Sequence, residues 1–321
     1  MADVLEVEDL RTHFFTEGGV VNAVEGVSFF VREKEKFGLV GESGCGKTVT
    51  ALSIMRAIRH PGRIVNGKIM FRGENLLEKS DKEMRDIRGR EIAYITQDPL
   101  TSLDPVLTIA TQLDETQITH LGLSSVEARE RSVQFLEKVG ISMPAKRINS
   151  YQHQFSGGMR QRIVISIAIS CNPKLLIADE PTTNLDVTIQ AQILELIREM
   201  NVRMNTSLIL ITHHLGLIAE MTDRVAVMYA GEIVELADTR SIFYDMRHPY
   251  TIGLLKCLPR AKFRGTRLST IEGTLPDPKN LPIGCKFHPR CGMALEKCAR
   301  QRPTMTSVEK GHYVACHLFA Y

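Results

Sequence analysis

Three short stretches carry residue types able to do chemistry on a phosphate. The first, Gly41-Glu42-Ser43-Gly44-Cys45-Gly46-Lys47-Thr48, fits G-x-x-x-x-G-K-[ST]. It follows the apolar run 37–40 and opens a helical pattern, which is where that spacing binds phosphate. Glycines let successive backbone N–H groups from Ser43, Gly44, Cys45 and Gly46 through Val49 curl around an anion, and a helix N-terminus adds a favourable dipole. Lys47 would reach the β- and γ-phosphates of ATP, and the Thr48 hydroxyl would hold Mg²⁺. The second stretch, Leu175-Leu176-Ile177-Ala178-Asp179-Glu180-Pro181, is a buried-strand pattern delivering two acids at its C-terminal end. Open α/β sheets bind ligands there. Asp179 would complete the Mg²⁺ shell and Glu180 would polarise the attacking water. Cys45, among backbone donors and beside Lys47, has surroundings that lower a thiol pKa, so a reactive thiolate is expected there.

The third stretch is Phe155-Ser156-Gly157-Gly158-Met159-Arg160-Gln161-Arg162. It resembles the LSGGQ-type signature of ATP-binding-cassette (ABC) ATPases, and it opens a helix, where paired glycines expose donors to an anion. The resemblance covers about the first 255 residues. It implies a γ-phosphate held in trans, with Ser156 and Gly158 serving the ATP bound on an opposite subunit. Gln97 looks like the Q-loop glutamine that contacts Mg²⁺, and Thr183-Asn184-Leu185-Asp186 like the D-loop at the dimer interface. His213 looks like the switch histidine at the γ-phosphate. Phe14 holds the position of the aromatic that stacks on adenine, with Phe15 as the second choice. The chain departs from the pattern at Cys45, Met159, Asn184, His214 and Lys34, and no departure removes a catalytic group.

The elements that must position these groups can be read coarsely. Short β-rich runs at 4–7, 20–24, 27–31, 37–40, 64–71 and 91–95 surround a helix at 47–58. Helical periodicity then takes over at 126–139 and 158–170. Alternation returns with strands at 175–178, 207–212 and 224–228 and helices at 188–204 and 215–221. The expected fold is α/β: a P-loop NTPase of the ABC nucleotide-binding type, with a RecA-like core, an N-terminal antiparallel β part and a helical insert. The expected division is a nucleotide-binding domain over 1–258, its helical subdomain at about 98–172, and a small loop-rich cysteine domain over 259–321.

His248-Pro249-Tyr250-Thr251, then Leu258-Pro259, resembles a feature of the peptide and nickel importer ATPases, as do 41–50 and 97–103. Four of the seven cysteines, Cys285, Cys291, Cys298 and Cys316, lie in a proline-rich tail with five, six and seventeen residues between them. Zinc sites favour closer pairs, so a [4Fe–4S] cluster is expected, with Zn²⁺ as the alternative. That tail is too poor in apolar residues to order itself by burial alone.

Composition narrows the class. Hydrophobic residues at 43% and charged residues at 24% are ordinary for a globular chain, and a net charge of +3 is too mild to argue for nucleic acid. Met1-Ala2-Asp3-Val4 lacks an export pattern, and the most apolar run, 163–170, is about half a membrane span. The expectation is a peripheral protein on the cytoplasmic face of a bacterial membrane. The resemblance implies an ATPase that energises import of di- or oligopeptides, with nickel or another small solute as the alternative. A soluble ABC ATPase acting on nucleic acid is the distant one. The implied partners are a second ATPase subunit, expected to be a paralogue, two transmembrane permease subunits and, indirectly, an extracytoplasmic peptide-binding protein.

Overall fold

The computed structural model describes residues 2–183, 185–257 and 271–319. The N-terminal third contains β1 (Asp3–Thr16), β2 (Gly19–Arg32), β3 (Lys36–Val40), α1 (Lys47–Ile54), β4 (Gly62–Phe71), β5 (Glu74–Asn75), α2 (Asp81–Ile87) and β6 (Ile92–Ile95). Next come α3 (Pro99–Ser102), α4 (Ile109–Leu121), α5 (Ser125–Lys138), α6 (Pro144–Arg147), α7 (Gly157–Ile169), β7 (Leu175–Asp179) and α8 (Val187–Met204). The last part holds β8 (Ser207–Thr212), α9 (Leu215–Met221), β9 (Arg224–Tyr229), β10 (Glu232–Asp238), α10 (Thr239–Tyr244), α11 (Pro249–Lys256), β11 (Thr306–Glu309) and β12 (His312–Val314).

The chain divides into two compact units. One comprises Met1–Val4, Arg32–Glu35 and Glu78–Leu210. Within it β6 and β7 pair in parallel, Ile92 opposite Leu175 and Ile95 opposite Ala178. β7 is buried along its whole length, as a parallel strand covered on both faces must be. The rest of this unit is largely helical. α5 starts with a capping box in which Ser124 and Glu127 satisfy each other's backbone N–H groups. It buries Ala128, Phe135 and Leu136, with the hydroxyl of Ser132 among them, in a stripe at the helical period. Against that stripe α4 contributes polar pairs as well: Arg129 Nε donates to Asp114 at 2.8 Å, and Gln117 Nε2 to Ser132 Oγ at 2.8 Å.

The other unit comprises Leu5–Val31, Lys36–Leu77 and Ile211–Tyr321. It holds an antiparallel sheet in the order β2-β1-β4-β5 and a second run of strands in the order β11-β12-β10-β9-β3. β3 lies parallel to β9, Phe37 opposite Arg224 and Val40 opposite Val227, and β9 is buried throughout. The expected antiparallel β part is present, with two differences in length. The runs at 20–24 and 27–31 form one strand, β2, because Gly26 at φ 80° lets the chain kink without stopping. β1 continues to Thr16, past an irregularity between Glu8 and Arg11, because β4 supplies partners as far as Phe14 opposite Gly62. The helix expected over 47–58 stops at Ile54, as Arg56 turns into the left-handed region at φ 47°.

The described part of the tail joins this unit through hydrogen bonds that its composition did not announce. β12 pairs antiparallel with β10, Glu235 opposite Val314 and Leu236 opposite Tyr313. The expected boundary at 258/259 lies outside the described residues.

Candidate active site

The phosphate-type loop is built by close approach of backbone to backbone. A side chain at Gly41 would place its Cβ 2.2 Å from the Met228 carbonyl oxygen, and one at Gly46 would place it 2.4 Å from that of Ala23. Gly46, at φ 107°, is also the N-cap of α1. No side chain caps that helix and no acid lies in its first turn, so its positive end is bare. Lys47 is 5% exposed, and its Nζ donates to the carbonyl oxygens of Gly41 at 2.8 Å and Glu42 at 3.0 Å. Ser43, Gly44 and Thr48 are exposed, Val49 is half-buried, and nothing lies within 4 Å of where a Gly44 Cβ would stand. An open, amide-lined turn with one ammonium folded across it suits an anion such as a phosphate group.

Cys45 corrects an expectation. Its thiol is 1% exposed, and burial pushes its pKa up, outweighing the pull of Lys47. The Sγ lies 3.8 Å from Lys47 Nζ. Depth and the upward shift both disfavour a thiolate, and the residue contributes as a small packed side chain. Under native conditions maleimide should label Cys45 far more slowly than the half-buried Cys257, as read by mass spectrometry of the intact protein. Rapid labelling of Cys45 that Mg-ATP blocks would restore the reactive reading.

The acid strand lies in the other unit. Asp179 closes β7 at 1% exposure, its Oδ2 accepting from the Tyr94 hydroxyl at 2.7 Å. Burial and the neighbouring carboxylate hold the Tyr94 pKa well above its ordinary value, so the phenol stays a donor. Tyr94 was not anticipated. Its signal is a hydroxyl in the buried run Ile92-Ala93-Tyr94-Ile95, which needs a partner. Glu180 sits at φ 46°, a left-handed backbone conformation uncommon for this residue type. Its Oε2 accepts from Gln97 Nε2 at 3.2 Å and from Thr183 Oγ1 at 2.9 Å. Gln97 and Glu180, named separately from sequence, are thus brought together.

Ser156 caps α7, its Oγ accepting from Met159 N at 3.4 Å, and Ser156 and Gly157 are exposed. The Cβ of a residue at Gly158 would stand 2.7 Å from Ile189 Cγ2, so the turn is tightly set on α8. Asp186 caps α8 through Ile189 N at 3.0 Å, and Asn184 lies outside the described residues. His213 is exposed just beyond β8, and His214 caps α9 through Leu217 N at 3.4 Å. Phe14 packs its ring against Gly62, while Phe15 is 46% exposed with the Arg63 guanidinium 5.8 Å from its ring centre.

The tail cysteines gather in one place. The Cys285 thiol is pushed up to about 11 by burial first and then by the nearby thiols of Cys298, Cys316 and Cys291. Yet among the described residues no three or more His, Cys, Asp or Glu side chains form a group able to hold a metal ion. The iron–sulfur expectation, and the zinc alternative with it, finds no support in this arrangement. His288 Nδ1 faces the Cys285 carbonyl at 2.8 Å and His312 Nε2 the Glu235 carboxylate at 2.8 Å. Both rings are thus engaged in hydrogen bonds.

One motif acquires a physical role. His248 caps α11, with Nδ1 accepting from Tyr250 N at 3.0 Å, and burial lowers its pKa to about 4, so the ring is neutral near pH 7. Tyr250, fully buried, presents its hydroxyl to the Glu42 backbone N–H at 2.9 Å, inside the phosphate loop.

The ABC transporter family matches residues 24–183, and the oligopeptide/dipeptide transporter C-terminal region matches 234–298. The dipeptide transport ATP-binding protein DppD of Bacillus subtilis (strain 168) is 49% identical over 99% of this chain and 95% of that protein. The oligopeptide transport ATP-binding protein OppD of the same organism is 50% identical over 97% and 87%. The DppD of Escherichia coli (strain K12) is 45% identical over 98% and 96%. Among solved structures, a dimeric ATP-binding cassette in a post-hydrolysis state with ADP and Pi superposes with a TM-score of 0.66 at 22% identity. It covers 74% of this chain and 99% of that one, and shows the fold.

Proposed function

The chain belongs to the ATP-binding proteins of dipeptide and oligopeptide ABC transporters, and on that premise we propose that it hydrolyses ATP to energise import of di- or oligopeptides. The observation that carries the ATPase half is Lys47, folded across a loop in which a side chain at Gly41 or Gly46 would collide with backbone. The peptide half rests on the match of 234–298 to the transporter C-terminal region.

Each group takes a part on the nucleotide. Backbone N–H groups from Ser43 to Val49 receive the phosphates, Lys47 neutralises the β- and γ-phosphates, and Phe14 stacks on adenine. Thr48, Asp179 and Gln97 would hold Mg²⁺, which supplies charge neutralisation between the phosphates when bound. Tyr94 fixes the rotamer of the Asp179 carboxylate by donating to it. Glu180, oriented by Gln97 and Thr183, accepts a hydrogen bond from the attacking water and so polarises it, and His213 supports the γ-phosphate. Ser156 and Gly158 serve the nucleotide of a second ATPase subunit, a paralogue in this reading, while two permease subunits form the path through the membrane. No helix among the described residues is long and apolar enough to cross a membrane, which suits attachment to such permeases at the cytoplasmic face. The tail cysteines carry no step in this reading.

The test is reconstitution with the permeases and second ATPase subunit in vesicles. Peptide-loaded binding protein is expected to raise the ATPase rate several-fold over empty binding protein. A rise with nickel-loaded binding protein in place of peptide would move the assignment to the small-solute alternative.

A further inference from the structure

The phosphate loop contains an acid, Glu42, at a place meant to receive the negative charge of a nucleotide. An unpaired carboxylate there would oppose binding. The structure pairs it with a residue nearly 250 positions away. Arg290 Nη1 donates to Glu42 Oε2 at 2.9 Å, and Nη2 to Oε1 at 3.0 Å, a two-pronged charge-assisted pair. The Arg290 side chain is 7% exposed. Its guanidinium lies 5.7 Å from the Tyr229 ring centre, and its Nε donates to the Glu272 carbonyl at 2.9 Å. Beneath the pair, Phe287 from the tail packs edge-on against Tyr229 at 5.2 Å and lies 5.3 Å from Tyr250. Tyr250 in turn receives the Glu42 N–H. Glu42 is therefore held at its backbone by α11 and at its carboxylate by the tail.

We infer that Arg290 is a positioning residue for the phosphate loop: it neutralises Glu42 and draws its carboxylate aside, so that the tail sets the affinity of the loop for a nucleotide. The inference rests on reading that loop as the cradle for the ATP phosphates. A guanidinium suits this position because it forms both bonds at once in a fixed plane, which an ammonium cannot do. Buried pairs of this kind are costly to break from one side, since the remaining charge stays behind without its partner.

The experiment is steady-state ATP hydrolysis by the assembled transporter, with KM and kcat read separately. Arg290→Gln is expected to raise KM for Mg-ATP about tenfold, with kcat changed less than about twofold, because a charge-assisted pair is lost while the hydrolytic groups stay. Adding Glu42→Gln to Arg290→Gln is expected to bring KM back near the parental value, since the opposing charge is then gone. Glu42→Asp, which leaves the tail's own residues untouched, should also raise KM by drawing the carboxylate out of two-pronged reach. An unmoved KM in Arg290→Gln or in Glu42→Asp overturns the inference, as does a double variant no better than Arg290→Gln. A parental complex that does not hydrolyse Mg-ATP at all overturns the nucleotide reading and this inference together.

Discussion

Glu180→Gln is expected to keep Mg-ATP bound while slowing its hydrolysis about 10²–10⁴-fold, the usual contribution of a group that orients or deprotonates water. The carboxamide has the same shape, and its oxygen can accept from Gln97 and Thr183 as the carboxylate's Oε2 does. It cannot polarise a water as an anion does. The backbone at φ 46° is already set by the turn after β7, so the substitution leaves the loop geometry alone. Single-turnover hydrolysis of labelled ATP reads the chemical step, and nucleotide retained after gel filtration reads binding. A variant that hydrolyses near the parental rate would remove Glu180 from its assigned role. A variant that no longer retains ATP would show that the carboxylate serves binding instead.

Gly46→Ala should be nearly as damaging, by a different route. An alanine Cβ would stand 2.4 Å from the Ala23 carbonyl oxygen, and neither partner is a side chain that can swing away. At φ 107° an L-residue is also in a disfavoured region. Relief requires the loop to lift from β2, which misaligns the N–H groups that meet the phosphates. A loss of about 3 kcal/mol, roughly two orders of magnitude in affinity for Mg-ATP, is expected from clash and strain together. Gly44→Ala provides the comparison. Its φ is 84°, yet nothing stands within 4 Å of the new Cβ. Only the conformational cost of about 1–2 kcal/mol remains, roughly tenfold in affinity. Titration with a fluorescent ATP analogue compares the two directly. Equal losses in both variants would show that loop strain, not crowding against Ala23, governs the site.

The parts of this protein most legible from sequence are those where a local pattern has one physical use. Glycines at 41, 44 and 46 before Lys47 specify a loop regardless of what surrounds it. The same holds for β7, where an unbroken apolar run ends in Asp179 and Glu180. Long-range pairings were not legible, because nothing near Arg290 in the chain signals that its partner is Glu42. Tyr94 hides for the same reason, its acceptor lying 85 residues on in Asp179. Reactivity of Cys45 was misjudged since sequence shows its charged neighbour Lys47 but not the depth at which both are buried. The tail shows the same limit. Its prolines and scarce apolar residues suggest loops, and they do not show that Phe287, Val314 and Ala315 are buried through partners in β9, β10 and α11.

Because β12 lies along β10 and β11 along β12, the last described strands cover the backbone donors and acceptors of β10 and leave the four-residue β11 as the outer strand. Long open edges recruit strands from other molecules. Shortening the chain ahead of Thr306 would therefore trade a folded margin for a sticky one, and the shortened protein should form soluble aggregates in proportion to its concentration. Light scattering would register that before any assay of nucleotide turnover could be interpreted.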